Sequence, residues 1–439
     1  MPVSEPSISF AQNPGRVADL AAQIADRRLS PVDLVRSYLA RIETVEPQVH
    51  AWTLVDAERA LATAERRHKE AAAGTLLGPL HGIPVGIKDI IDVEGLPTRC
   101  NSRSRASAPP ATSDAEIVLA LKAQGAIILG KLHTTEFAFF DPSPACNPHN
   151  IGHTPGGSSS GSAAAVAAGM VPLAIGTQTV ASVNRPAAYC GVAAFKPSTR
   201  SLVTSGIAPL GPSFDTPGVF GWTVADAIDG YRAIAPDFLT ATKSVPQAPV
   251  IAVLEDDHIG DAIPEMKAAA AAMVDRFAAA GARIEQRRSP IDMARLFRIQ
   301  RTTMLYEAGR MMRAFLDLPA GQIGEKLRAA IVEGLEIGEQ RYLDERREID
   351  RLRSTLLAKT SHVAAFLWPA TPGPAPKSLV WTGDPKYIAP WTAIGGPIIT
   401  IPAGRTADGL PLGCILAGGP GTDLSLCALA VKLETGSGS

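Results

Sequence analysis

The sequence predicts an α/β protein built as a single large domain, with a mixed, mostly parallel central β-sheet flanked by helices on both faces. Three observations carry this. Between Gly78 and Pro197, short apolar runs bounded by Gly and Pro alternate with helical patterns, the signature of parallel strands joined by crossover helices. Strand texture then returns near the C-terminus, so one sheet is completed by distant parts of the chain. Finally, the composition is 46% hydrophobic but only 5% aromatic, with 39 Gly, so a large core has to be built mainly from Ala, Val, Leu and Ile.

The first 73 residues read as helices: 17–28, 34–45 after a Ser30-Pro31 cap, and 56–73. The strand-like runs that follow are IPVGIKDI (83–90), AIILGK (126–131), VPLAIGT (171–177) and CGVAAFKP (190–197), with helical patterns at 114–124 and 162–168 between them. A further strand is expected at 248–256. Residues 263–280 and 324–357 read as long amphipathic helices, before the strand texture of AAFLWPATPGPAP, GGPIITIPAG and LPLGCILAG. Length alone would divide 439 residues into two or three domains. Apolar strands at both ends of the chain favour one, covering 1–434, with the final TGSGS (435–439) reading as a linker-like tail.

Lys and Arg total 42 against 43 Asp and Glu, a net charge of −1, so no global field favours nucleic acid or an anionic membrane. The expected partner is a small molecule, and the expected state a monomer or homodimer. Five cysteines, widely spaced and without a CxxC pair, point to reduced thiols rather than disulfides or zinc, and no metal or cofactor is expected. The N-terminus shows no basic region followed by an apolar run, and the most apolar stretch, 162–176, is short and contains Pro172. A cytoplasmic location is the expectation.

The richest segment for chemistry is TPGGSSSGSAAAVAAG (154–169), where small residues lead straight into a helix whose first N–H groups can face a negative atom. A phosphate loop is a poorer reading, because no GKS/T follows. A second segment, GTQTVASVNRPAAYCG (176–191), begins where a buried strand ends, the place at which α/β sheets gather ligands. Ser182 lies in its turn, but a serine needs a base to act as nucleophile. No GxSxG elbow occurs, and neither His133 nor His153 sits in such an arrangement. Lys88 projects from 83–90 on the face shared with Pro84 and Gly86, into a gap left by small residues. From this segment alone it is open between an ion pair with Asp89 or Asp92 and a neutral base produced by desolvation.

Taken together the segments resemble the amidase signature family from about Ala18 to Glu434. The similarity rests on GPLHGIPVGIKDIIDVEGLPT (78–98), DAEIVLALKAQGAIILGKLHTTEFA (114–138), NPHNIGHTPGGSSSGSAAAVAAG (147–169), FKPS (195–198), FDTPG (214–218) and GGPIITIPAG with GLPLG (395–413). The resemblance implies a catalytic lysine at Lys88, a bridging serine in a cis peptide at Ser158, and the nucleophile at Ser182. It implies an oxyanion hole from the backbone N–H groups of Thr179, Val180, Ala181 and Ser182, and no metal or cofactor. It also divides the domain into N-terminal helices (1–73), a catalytic core (78–235), a variable helical substrate-side region (248–365) and C-terminal core strands (366–434).

The family pattern has Gly-Gly before the nucleophile, an Asp ahead of them and an Arg beyond; here these positions hold Val180, Ala181, Gln178 and Asn184, with Arg185 one step on, and Ser160 replaces a family Gly. A Gln178/Arg185 arrangement in place of an Asp–Arg pair, and a turn reshaped by the loss of Gly, are expected. Phe137, Phe140, Tyr306, Tyr387 and Ile394 are the candidate substrate wall. An apolar wall without a carboxylate clamp favours a neutral amide or carbamate, and the chain is also similar to the metagenomic urethanases of this family, which hydrolyse aryl carbamates. The alternatives are a glutamine-hydrolysing amidotransferase subunit that needs a partner, and a non-catalytic amidase-like binding protein.

Overall fold

A computed structural model describes residues 9–235 and 246–435; the first eight residues and 436–439, most of the tail expected as a linker, lie outside them. Three helices open the chain: α1 (Val17–Ala25), α2 (Pro31–Val49) and α3 (Ala57–Ala72). The Ser30 hydroxyl accepts from Val32 N and Pro31 occupies the first helical turn of α2, so this cap forms as the sequence indicates. Between α2 and α3 lies β1 (Trp52–Val55), a strand in the gap between the second and third expected helices, in a region read as a helical layer. It is only four residues long and owes its form to antiparallel pairing with β3.

The sheet core is β2 (Pro84–Lys88), β3 (Ile127–Leu132), β4 (Leu173–Gln178), β5 (Ala193–Lys196) and β6 (Thr216–Gly221). The segments between them fold as α4 (Glu116–Ala123), α5 (Ser160–Ala167), α6 (Asn184–Cys190) and α7 (Val224–Ile234). The remainder is β7 (Val250–Glu255), α8 (Pro264–Ala279), β8 (Arg283–Arg288), α9 (Met293–Met311), α10 (Glu325–Glu336), α11 (Glu339–Lys359), β9 (Ala365–Pro369), α12 (Ala389–Ile394), β10 (Ile398–Arg405), β11 (Pro411–Ala417) and α13 (Asp423–Thr435). The long helix expected at 324–357 is two helices, broken at Ile337 and Gly338.

Among the described residues, all eleven strands join one sheet in the order β1-β3-β2-β4-β6-β5-β10-β11-β9-β7-β8. The sheet is mixed, but parallel pairing is confined to β2 with β3 and β4, and to β7 with β8 and β9. Around β5, β6, β10 and β11 every pairing is antiparallel, which corrects the mostly parallel expectation. The cause is β6: the TPGVFG segment folds back as a strand between β4 and β5, where its Pro and Gly carry no strand signal.

Helix α5 is buried along its whole length. Ser, Gly and Ala are what allow this: a Cβ on Gly161 would stand 2.3 Å from the Ala51 carbonyl oxygen and 2.5 Å from His133 N. The small residues therefore place the start of α5 directly against the sheet, beside the ends of β2 and β4.

Candidate active site

The C-terminal ends of β2 and β4 converge on one buried point. Lys88, the last residue of β2, is fully buried and its Nζ donates to Ser158 Oγ at 2.7 Å and to Thr177 Oγ1 at 2.8 Å. The ion pair that the local sequence left open does not form. Asp89 forms an ion pair with Lys131 Nζ at 2.8 Å, and Asp92 accepts from Thr98. Burial lowers the Lys88 pKa to about 7, against the opposing pull of Asp215 and Cys100. A lysine in this state exchanges its proton near neutrality.

Ser158 follows Gly157 through a cis peptide bond. Its segment is held from several sides: Arg185 donates to the Gly157 carbonyl at 2.9 Å, Thr135 N donates to the Ser158 carbonyl at 3.0 Å, and Ser159 exchanges bonds with the Thr177 backbone at 3.2 Å. Gly156 adopts φ +85°, and a Cβ there would meet Pro186 Cα at 2.8 Å, so only glycine fits. Ser160, at the position of a family glycine, bonds Ser143 Oγ at 2.6 Å.

Ser182 lies between β4 and α6 and is 7% exposed. Its carbonyl accepts from Ser159 N at 3.3 Å, which ties the two serine segments together. Among the described residues its hydroxyl has no hydrogen-bond partner, so it stands beside the Lys88–Ser158 pair without a direct bond to it; such contacts commonly close only when substrate binds.

In the turn itself, the N–H groups of Val180, Ala181 and Ser182 donate to no group among the described residues. The carbonyls are all engaged. Thr179 O accepts from Gln300 Nε2 at 3.0 Å, Val180 O from Thr392 Oγ1 at 2.6 Å, and Ala181 O from Arg185 N at 3.0 Å. With its acceptors fixed, the turn presents a row of donors suited to a developing oxyanion. Val180 and Ala181 are absent from the residues with positive φ, so the turn forms without the conformations that require glycine.

Gln178 and Arg185 do not pair with each other. Gln178 Oε1 accepts from Val183 N at 2.8 Å and Asn184 N at 3.0 Å, capping the start of α6, while its Nε2 donates to Thr392 Oγ1 at 2.9 Å. Arg185 is buried and donates to Gly383 O at 2.5 Å and Thr382 Oγ1 at 3.2 Å, as well as to Gly157. Asn184 turns away to Thr400 Oγ1 at 3.0 Å and Ile398 O at 3.3 Å. Thr177, Gln300, Thr392 and the clamp made by Arg185 were not singled out from sequence, because each acts through a contact to a segment remote in the chain.

A cavity of about 430 Å³ opens beside Val180 and Gln300, walled by Phe139, Phe140, Phe297, Met304 and Trp381. Of the five candidate wall residues, Phe140 lines it. Phe137 packs on Phe315 with ring centroids 4.8 Å apart, and Tyr306 stacks on Tyr342 at 4.0 Å beneath Arg310. Tyr387 is buried with its hydroxyl on Asp261 at 2.9 Å. Ile394 faces a different cavity, of about 240 Å³, that includes Arg200, Arg346 and Arg353. These four were chosen as apolar or aromatic residues, and packing elsewhere uses the same property.

The sequence model of the Amidase family matches residues 33–427. The chain belongs to the amidase family. Among its relatives within that family, a glutamyl-tRNA(Gln) amidotransferase subunit of Acidothermus cellulolyticus is 40% identical over 250 residues, 55% of this chain and about half, 49%, of that protein. The putative amidase AmiA2 of Mycobacterium bovis is 32% identical over 465 residues, 96% of this chain and 93% of that one. The peptide amidase of Stenotrophomonas maltophilia superposes with a TM-score of 0.80 at 29% identity, over 95% of this chain and 96% of its own. This amidase-family chain is thus an amidohydrolase by kinship. Among the described residues no helix is long and apolar enough to cross a membrane, and no group of His, Cys, Asp or Glu is placed to hold a metal.

Proposed function

We propose that this amidase-family protein hydrolyses the C–N bond of neutral aryl or alkyl amides and carbamates, with Ser182 as nucleophile. The observation that carries the reading is the 2.7 Å contact between a buried Lys88 and Ser158, beside a turn whose N–H groups are free. Neutral Lys88 takes the Ser158 proton as Ser158 takes that of Ser182, and Ser182 Oγ bonds to the substrate carbonyl carbon. The carbonyl oxygen becomes an oxyanion held by N–H groups of the turn from Thr179 to Ser182, each such donor contributing about 3 to 4 kcal/mol to the transition state. As the C–N bond breaks, Ser158 gives a proton to the departing amine and recovers one from Lys88. Water then attacks the acyl- or carbamoyl-enzyme, passing its proton along the same relay and releasing Ser182.

The cavity wall of Phe139, Phe140, Phe297 and Met304 favours an apolar group; of the charged side chains that also line it, Arg301 and Glu333 pair with each other at 2.5 Å and Lys326 is the third. A second reading, one component of an amidotransferase, is favoured by the relative of that name. The test is release of aromatic amine from an aryl anilide and an aryl carbamate by the purified chain and by Ser182→Ala and Lys88→Ala. Turnover by the chain alone, lost in both variants, is expected, and the carbamate-to-anilide ratio measures the urethanase character. An inactive parent chain, or an active Ser182→Ala, overturns the reading.

A further inference from the structure

Asp215 belongs to the FDTPG motif, and the relay described above makes no use of it. It is a half-buried carboxylate immediately before β6, and the pairing of Gln178 with Thr216 sets it opposite Thr179. Thr179 Oγ1 donates to its Oδ1 at 2.5 Å; Leu210 N and Gly211 N donate to its Oδ2 at 2.9 and 3.0 Å. Three donors converge on one group and it donates to none of them, the pattern of an ionised carboxylate. Burial, helped by the charge of Glu307, leaves its pKa above the ordinary carboxylate value, although these three bonds favour the ionised form and pull the other way.

On the other side, Lys88 bonds Thr177 Oγ1, two residues from Thr179 on the same strand end. A cavity of about 10 Å³, near the smallest that holds one water, touches Thr177, Thr179 and Asp215 together. Of the charged neighbours, Asp215 exerts the strongest pull that keeps the Lys88 amine protonated, against burial. Cys100 is held as a thiol by burial, which pushes it up to about 12. Asp89 and Lys131 neutralise each other at 2.8 Å. Glu307, whose charge acts on Asp215, is engaged by Ser213 and Tyr342 and lies 3.6 Å from Arg346.

We propose that Asp215 is a positioning residue for the reaction, a fixed negative charge that joins the charge state of Lys88 to the placement of the oxyanion turn through Thr179. The inference rests on the relay from Lys88 through Ser158 to Ser182. When Lys88 is charged, Asp215 stabilises it; when the proton moves off, the carboxylate remains locked by Leu210 and Gly211 and holds Thr179 for the oxyanion. A bland alternative is that Asp215 only anchors the 210–215 loop.

The pH dependence of kcat/KM separates the two, because a loop anchor changes rate without moving a titration. The acid limb reports deprotonation of Lys88. In Asp215→Asn, which keeps the size but loses the charge and turns one acceptor oxygen into a donor, that limb is expected to fall by about one pH unit. If the Asn variant does not fold, Asp215→Glu carries the test, since a longer side chain changes the distance between carboxylate and amine and must also displace the limb. A limb unmoved in a folded variant overturns the proposal. Activity surviving in Ser182→Ala overturns instead the relay on which it rests, so the two failures are distinguishable.

Discussion

Replacing Gln300 with Leu tests whether the oxyanion turn is held in place by a helix that no sequence signal connects with it. Gln300 is fully buried on α9, and its Nε2 bonds the Thr179 carbonyl at 3.0 Å while its Oε1 has no partner among the described residues. Leu removes one hydrogen bond, about 1 kcal/mol net, and leaves the Thr179 carbonyl unsatisfied, about 1 to 3 kcal/mol. It also removes an acceptor that is already buried without a partner, which offsets most of that loss. The net change in stability is therefore expected at about 1 kcal/mol. The catalytic effect is larger, because the turn is freed at its first carbonyl. Losing half of one oxyanion donor of about 3 kcal/mol lowers kcat about tenfold. Steady-state kinetics and urea denaturation on the same preparation read both numbers. A kcat within about twofold of the parent, with the expected small loss of stability, would refute the reasoning and leave Gln300 as packing alone.

Two further outcomes follow from the same geometry. Arg185→Lys exchanges a planar fork that reaches Gly383, Thr382 and Gly157 for a single ammonium. It is expected to lower kcat about 10- to 100-fold by loosening the Ser158 segment, and to cost about 3 kcal/mol in denaturant unfolding; a variant with parental kcat would show that the clamp is not needed for catalysis. The second outcome concerns pH and stability. Lys88 has a pKa lowered from 10.5 to about 7, so between those values the unfolded chain holds a proton that the folded chain has shed. Its contribution therefore becomes more favourable as pH rises through that window, and its destabilising effect is complete below about pH 7. The stability gained on Lys88→Met should be largest at about pH 7 and shrink toward about pH 8.5. A gain that stays constant over that range contradicts the sign.

The strands that carry the chemistry were legible because they are short apolar runs cut off by Gly and Pro. Strands β2, β3 and β4 fall within two or three residues of the expected spans, with Lys88 as the last residue of β2, two residues short of the expected end. What stayed hidden was set by neighbours remote in the chain. Strand β8, RIEQRR, is mostly charged and forms at the sheet edge by pairing with β7 alone. Strand β1 exists by pairing with β3, and β6 overrides its own Pro and Gly. The same holds at the site. Thr179 and Gln300 are 121 residues apart, and Gln178 and Thr392 are 214 apart, so no local pattern could join them. The expected Gln178/Arg185 pairing did not form because each side chain found backbone partners in a different direction.

Gln300 and Met304 sit one turn apart on α9, one gripping the oxyanion turn and both walling the apolar cavity. Recognition and rate are therefore written on the same stretch of helix. A chimera that imports the helical insert of another amidase to acquire its substrates would import, or lose, the tether at position 300 along with the pocket. Grafts that keep an amide donor there should retain turnover while changing selectivity. Those that do not would look like failures of substrate fit when the defect lies in the machinery. For this lineage the helical insert is an inherited part of the catalyst, not an exchangeable accessory.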